Sequence, residues 1–165
     1  MKYISLIRHA KSEDAILNQS DFDRDLNEQG RRVAPKMGKK LNELNLKPNK
    51  VYCSSAKRAV ETSNLMIEQL EYSLGEVNFV NDLYEASVRS LLDFINKLDD
   101  QFHDVVIVGH NPSISYLIEY LTGDHINNLP TCGVVRMSFR LDEWKLLSQN
   151  TGEQIYYIYP KEFDF

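Results

Sequence analysis

The stretch Tyr3-Ile4-Ser5-Leu6-Ile7-Arg8-His9-Ala10-Lys11-Ser12 decides how this chain is read. A mostly apolar, β-favouring run passes directly into a guanidinium and an imidazole. A buried strand that ends in two strongly polar groups carries them to the rim of a sheet, where open α/β folds bind ligands. A histidine beside a permanent cation resists becoming a cation itself. The neutral imidazole is the form that attacks an electrophile.

Working outward, strand-like and helix-like segments alternate. Residues 2–8 read as a strand and 10–26 as a polar, acidic loop. Residues 28–45 carry Val33, Met37, Leu41 and Leu44 at helical spacing, with Pro35 predicting either a start near residue 31 or a kink. Residues 50–53 make a short strand. Ser54-Ser55 then offer an N-cap for a helix over 56–70. A strand is expected at 76–80, a helix at 88–100, and a fully buried strand at 104–109 (Asp-Val-Val-Ile-Val-Gly). Pro112 suits the first turn of a helix over 112–122. Residues 133–140 and 144–148 read as a hairpin around Asp142-Glu143, and 154–159 as an edge strand. The alternation predicts one domain over residues 1–165: an α/β fold, a three-layer α/β/α sandwich with a mostly parallel, mixed central sheet.

Composition sets the outer limits. The chain has 165 residues, 42% hydrophobic and 26% charged, with a net charge of −5. This acidic balance argues against nucleic acid as a partner. No run approaches the length of a membrane span, and the first residues lack a signal-peptide core, so no membrane partner and a cytoplasmic location are expected. Cys53 and Cys132 do not form a disulfide framework. Arg31, Arg32, Lys36, Lys39 and Lys40 crowd one stretch. They read as a solvated helix face, with a docking patch for an acidic partner as the alternative.

The polar residues converge on this map. Arg8-His9 end the first strand, Ser54-Ser55-Ala56-Lys57-Arg58 follow the second and open a helix, and His110-Asn111 follow the long β-branched strand. If these strands are parallel, all three sites share one sheet edge, and two coincide with helix N-termini that favour anions. Two guanidiniums and two imidazoles there suit a phosphoryl group, because Arg forks match phosphate oxygens. Arg8, Arg58, His110 and Asn111 are the candidate phosphate-binding residues, and phosphate- or sulfate-type anions the expected guests.

Other phosphate and metal chemistries fail on spacing. Cys53 precedes Arg58 with four intervening residues, one short of a cysteine-phosphatase loop. Asp21-x-Asp23-x-Asp25 opens like an EF-hand, but Leu26 replaces the turn glycine and Arg32 the bidentate glutamate. His103, His110 and His125 lack zinc spacing, so no metal is expected. The acidic loop reads as solvated chain near the pocket mouth, able to repel or order substrates.

Five ordered blocks resemble the histidine phosphatase superfamily, and most closely its small phosphohistidine phosphatases of the SixA type. They are Leu6-Ile7-Arg8-His9-Ala10-Lys11; Phe22-Asp23-Arg24 with Leu26-Asn27-Glu28-Gln29-Gly30-Arg31-Arg32; Cys53 through Ala59 with Glu61-Thr62; Leu83-Tyr84-Glu85-Ala86; and Val108-Gly109-His110-Asn111-Pro112. The resemblance implies a phosphoglycerate mutase-like fold and no cofactor. It makes His9 the phosphorylated nucleophile, and Arg8, Arg58 and His110 the phosphate clamp; in the expected mechanism two guanidiniums and an imidazolium at His110 supply the positive charge. Glu85 falls where some members keep a proton donor, so it is the candidate acid. Ala10 stands where the signature has Gly. The short span from Arg58 to Glu85 leaves little room for a helical cover over the pocket.

The expected function is a metal-independent phosphatase that forms a phosphohistidine intermediate. Its expected substrate is phosphohistidine on a signalling protein of the histidine-phosphotransfer type. A small-molecule phosphomonoesterase and a non-catalytic phosphate-binding module are the alternatives. The tail Tyr156-Tyr157-Ile158-Tyr159 either closes the sheet or meets another chain.

Overall fold

A computed structural model describes residues 1–165. Six strands, β1 (Lys2–Arg8), β2 (Lys50–Ser54), β3 (Asn78–Val80), β4 (Asp104–Gly109), β5 (Val134–Phe139) and β6 (Gly152–Ile158), form one sheet in the order β3-β2-β4-β1-β5-β6. β3, β2, β4 and β1 pair in parallel, while β5 and β6 pair antiparallel, so the sheet is mixed. The helices are α1 (Glu28–Glu43), α2 (Lys57–Ile67), α3 (Val88–Asn96) and α4 (Ser113–Thr122).

Side-chain alternation along the strands divides the core into two layers. Ile7, Val106, Val108 and Val134 pack against Val33, Met37 and Leu41 of α1 and Ala59, Met66 and Ile67 of α2. Ile4, Leu6, Val105 and Ile107 pack against Leu91 and Ile95 of α3 and Ile114, Leu117, Ile118 and Leu121 of α4. The architecture is therefore the α/β/α sandwich that the alternation predicts.

Register matters most for function. Arg8 lies opposite Gly109, and Cys53 opposite Val108. The C-terminal ends of β1, β2 and β4 therefore finish level, at one edge near the middle of the sheet.

Four local expectations are corrected. Residues 144–148 form no strand: Trp144–Leu146 is a single 3-10 turn, and β5 pairs instead with β6. The Trp144 indole is fully buried, with Nε1 donating to Phe102 O at 3.0 Å and its amide to Asp100 Oδ1 at 2.7 Å. Asn96 of α3 donates to both Trp144 O and Leu147 O. The segment's polar backbone is satisfied by α3 and its following loop, so it has no need of a sheet ladder.

Pro35 does not delay α1, which starts at Glu28 under an N-cap from Asn27, whose side chain accepts from Gly30 N at 2.8 Å. Ser54 and Ser55 do not cap α2. The N-cap position is Ala56, without a side-chain cap bond, and Ser54 turns into the sheet edge instead. The helices are also shorter than the periodicity suggests, with α2 ending at Ile67 and α3 at Asn96. The aromatic tail closes the sheet, because β6 pairs along β5.

The start of α1 presses on the chain just beyond His9. Asn27 N donates to Lys11 O at 3.0 Å, and a Cβ on Gly30 would collide with the Lys11 carbonyl oxygen. Gly30→Ala is expected to destabilise the fold by about 1–3 kcal/mol, the usual cost of forcing atoms into a packed site. Urea denaturation of the variant checks this.

Candidate active site

The three strand ends bring His9, Arg8, Arg58 and His110 together. Arg8 is the last residue of β1. His9 N donates to Gly109 O at 3.1 Å, and Cys132 N lies 3.1 Å from Arg8 O and 3.0 Å from His9 O, so the turn is tied to both β4 and the approach to β5. Ala10 N donates to Thr62 Oγ1 at 2.8 Å, and that hydroxyl donates to Arg58 O at 2.7 Å. One threonine on α2 thus couples the residue after His9 to the helix turn that carries Arg58. The His9 and His110 rings lie with centroids 5.2 Å apart. His9, Arg58 and His110 are buried, with exposures of 7%, 5% and 9%.

Each group is anchored on one edge and left unpaired on another. His9 Nδ1 is 2.7 Å from Ala10 O. A carbonyl only accepts, so Nδ1 carries the proton and Nε2 holds the lone pair. His110 Nε2 is 2.8 Å from Ser54 Oγ, and that oxygen also accepts from Ala56 N at 3.2 Å. The serine proton can be directed to Nε2, and in that tautomer Nε2 accepts. This leaves a proton on His110 Nδ1, which is buried and has no partner.

The guanidiniums follow the same rule. Arg8 Nη1 donates to Leu129 O at 2.9 Å, and Arg58 Nη1 and Nη2 donate to Asp21 O at 2.7 Å and Asp21 Oδ2 at 3.0 Å. The Nε of both arginines is buried without a partner. The end-on edge of Arg58 is therefore held from behind, and its side edge, Nε with the second Nη2 hydrogen, remains free. Unpaired buried donors are rare because each costs free energy, and here three converge: Arg8 Nε, Arg58 Nε and His110 Nδ1. Such a set fits an oxyanion.

Protonation follows from burial. Burial pushes His9 down to about 3, with His110, Arg58 and Arg8 adding to the shift against the Ala10 carbonyl. His110 is pushed down to about 4 by burial and by Arg58. Burial and Arg58 thus favour the neutral ring at pH 7, in place of the imidazolium expected from the sequence. A bound dianion would favour its charged form.

The loop 12–25 does more than its sequence suggests. Asp21 reaches Arg58, and its carboxylate also accepts from Tyr84 Oη at 2.6 Å and Arg24 Nε at 2.9 Å. The Tyr84 hydroxyl and Arg58 hold Asp21 down at about 2, so it is ionised, while the same contact pushes Tyr84 up to about 12. Tyr84 also meets His110 edge-on, with ring centroids 5.5 Å apart. Sequence reading missed Asp21, Tyr84, Ser54 and Thr62 as site residues. One signal pointed to Asp21: a cation at a helix N-terminus wants an anionic partner.

Asn111 and Glu85 add no unpaired buried polar atom to the cluster. Asn111 is engaged at both ends of its amide, donating to Leu129 O at 3.0 Å and accepting from Ser115 Oγ at 2.8 Å. It braces the segment that also holds Arg8. Glu85 is exposed, in a left-handed conformation with φ 55°, and lines a surface pocket with Tyr84, Asp82, Asp93 and Lys97. No group of three or more His, Cys, Asp or Glu residues is arranged to hold a metal ion. No helix is long and apolar enough to cross a membrane.

The sequence profile of the histidine phosphatase superfamily (branch 1) matches residues 4–90. This chain belongs to that superfamily. The uncharacterized protein ML1117 of Mycobacterium leprae is 30% identical over 170 residues, covering 94% of this chain and 100% of that protein. The mitochondrial serine/threonine-protein phosphatase Pgam5 of Drosophila yakuba is 36% identical over 76 residues, which are 46% of this chain and only 26% of that protein. Among solved structures, a SixA-type protein from Agrobacterium tumefaciens superposes with a TM-score of 0.81 at 23% identity, covering 96% of this chain and 99% of that one. The protein histidine phosphatase SixA complexed with tungstate gives 0.82 at 18% identity, with coverages of 98% and 99%. These likenesses establish the phosphoglycerate mutase-like fold.

Two expected outcomes follow. Thr62→Val keeps the shape but leaves the buried Ala10 amide unpaired, which is expected to cost about 1–3 kcal/mol in urea denaturation. Between pH 7 and 5 the unfolded chain binds protons on His9 and His110 that the folded chain refuses, so stability falls on acidification. Each histidine accounts for roughly 2 kcal/mol of that loss at pH 5. Measured stability should therefore drop on going from pH 7 to 5, and His110→Gln should flatten the drop.

Proposed function

We propose that the protein is a phosphatase whose nucleophile is His9 and whose substrate is phosphohistidine on a signalling protein. The observation that carries the reading is the convergence of unpaired Arg8 Nε, Arg58 Nε and His110 Nδ1 beside a histidine whose Nε2 lone pair is free. In this reading the Nε2 lone pair attacks phosphorus in line and the bond to the leaving group breaks. Arg8, Arg58 and His110 hold the equatorial oxygens, where charge is spread in the transition state. Water then attacks the phosphoryl group on His9, the P–N bond breaks, and inorganic phosphate leaves with His9 neutral again. The positive donors are the protein's own, so the chemistry asks for no metal.

The leaving group follows from protonation. An alkoxide needs a proton from a neighbouring acid, whereas an imidazole leaves neutral when its other nitrogen already carries one. Asp21 is the carboxylate nearest the clamp, and it is held ionised by Tyr84 and Arg58. Glu85 lies exposed on the outer flank and makes no hydrogen bond to a site residue. Both facts favour a P–N substrate over a phosphate ester. The tungstate held by a protein of the same fold supports a phosphate-shaped guest here. Rapid acid-free quenching of turnover on phosphoramidate or a phosphohistidine peptide should trap acid-labile phosphate on His9. His9→Ala should lose more than about a thousandfold in kcat, the scale set by removal of a covalent nucleophile. Normal turnover by that variant, or a strong ester preference that Glu85→Ala abolishes, would overturn the reading.

A further inference from the structure

The site lies between two surfaces of opposite charge. On the β3 side, the pocket that holds Glu85 is lined by Asp82, Glu85 and Asp93 against a single cation, Lys97. On the β5–β6 side, a groove of about 400 Å³ begins at Lys11, two residues past His9, and runs between the start of α1 and the segment 159–165, where Lys161 lines it. No Asp or Glu residue lines this groove. Phe165 joins it to a second groove of about 270 Å³, lined by Lys36, Lys39 and Lys40 against one carboxylate, Glu43. Lys36 and Lys40 lie over the Phe165 and Phe163 rings, at 5.8 and 5.0 Å.

The wall of the first groove is tied to the turn that carries His9. Pro130, Thr131 and Cys132 form part of its wall, and the same segment donates the Cys132 amide to the carbonyls at Arg8 and His9. Lys40 pairs with Glu43 at 3.5 Å, while Lys11, Lys36, Lys39 and Lys161 have no carboxylate within ion-pair distance. The concentration of cations stands out in a chain whose net charge is −5. Lys36 and Lys39 are exposed, as a solvated helix face requires, and they also line this second groove.

We propose that this channel docks an acidic polypeptide segment of the phosphorylated partner, with apolar side chains against Val33 and Phe165, and that the acidic pocket opposite fixes its direction. The inference rests on the phosphohistidine reading above and names the partner's chemistry. Charge complementarity carries it: an acidic segment is drawn to the lysines and repelled from Asp82, Glu85 and Asp93.

The test uses two synthetic phosphohistidine peptides of equal length, one flanked by Asp and Glu, the other by Ser and Gly. A stable phosphoryl-triazole analogue of each serves for binding by fluorescence anisotropy. At low salt the wild type is expected to favour the acidic peptide in kcat/KM by at least about tenfold, with the preference shrinking as salt screens the charges. The double variant Lys11→Glu, Lys161→Glu should abolish or invert that ratio, and both peptides report on the same folded enzyme. Equal kcat/KM for the two peptides in the wild type, or a ratio untouched by the reversal, would overturn the docking proposal while leaving the phosphohistidine reading intact. Lysine-dependent binding of the acidic analogue without hydrolysis of either peptide would instead overturn the phosphohistidine reading and uphold the channel.

Discussion

Two guanidiniums and two imidazoles packed at one buried sheet edge repel one another whenever more than the guanidiniums are charged, and the local structure is organised around that repulsion. Desolvation and the neighbouring cations keep both histidines neutral at pH 7. Asp21 supplies one carboxylate, aimed at the end-on edge of Arg58, so it relieves part of the positive charge without engaging Nε. What remains is a set of buried N–H groups with no acceptor. A fold can carry such groups because they are held rigidly from behind, by Leu129 O, Asp21, Ser54 and Ala10 O. The same rigidity means little reorganisation is needed when an oxyanion arrives.

Neutral histidines also resolve an apparent conflict of roles. A clamp benefits from positive charge, and a nucleophile from its absence. Because the carbonyl at Ala10 fixes the proton on His9 Nδ1, the Nε2 lone pair stays available whatever happens at its neighbour. His110, with Nδ1 as the free donor, can donate a hydrogen bond in its neutral form and strengthen it when a dianion raises its proton affinity. The two rings, 5.2 Å apart, are thus differentiated by their anchors: a carbonyl for one and a serine hydroxyl for the other.

Much of this was legible in the sequence because it depended on strand ends. The β-branched run 104–109 marks a central strand, and parallel strands that finish level must bring Arg8, His9, Arg58 and His110 together. What escaped was set by contacts distant in sequence. Nothing local says that Trp144 buries itself against residues 100–102 rather than continuing a hairpin, or that Asn96 takes up the carbonyls it leaves. Asp21 looks like one of several solvated acids until Arg58, 37 residues away, is placed beside it. Asn111 looks like a ligand because it follows His110, and in the structure its amide also bonds Leu129 O and Ser115 Oγ. Position in the chain locates a functional edge. Which atoms of that edge stay free depends on packing.

The openness of the edge bears on what can reach it. Between α2 and the segment that carries Tyr84 the chain spans only a short stretch containing β3, and no helix from it covers the clamp. Recognition beyond the phosphoryl group therefore falls to the flanks, and these are not equivalent. One carries exposed carboxylates around Glu85 and the other a run of lysines backed by Phe163 and Phe165. A small ester would gain little from charges spread along α1, a helix of 16 residues and so about 24 Å long. A polypeptide can contact that length while presenting one phosphorylated side chain to His9. The distribution of charge around the clamp thus suits the large substrate proposed above, just as the ionised state of Asp21 suits the proposed leaving group that needs no acid.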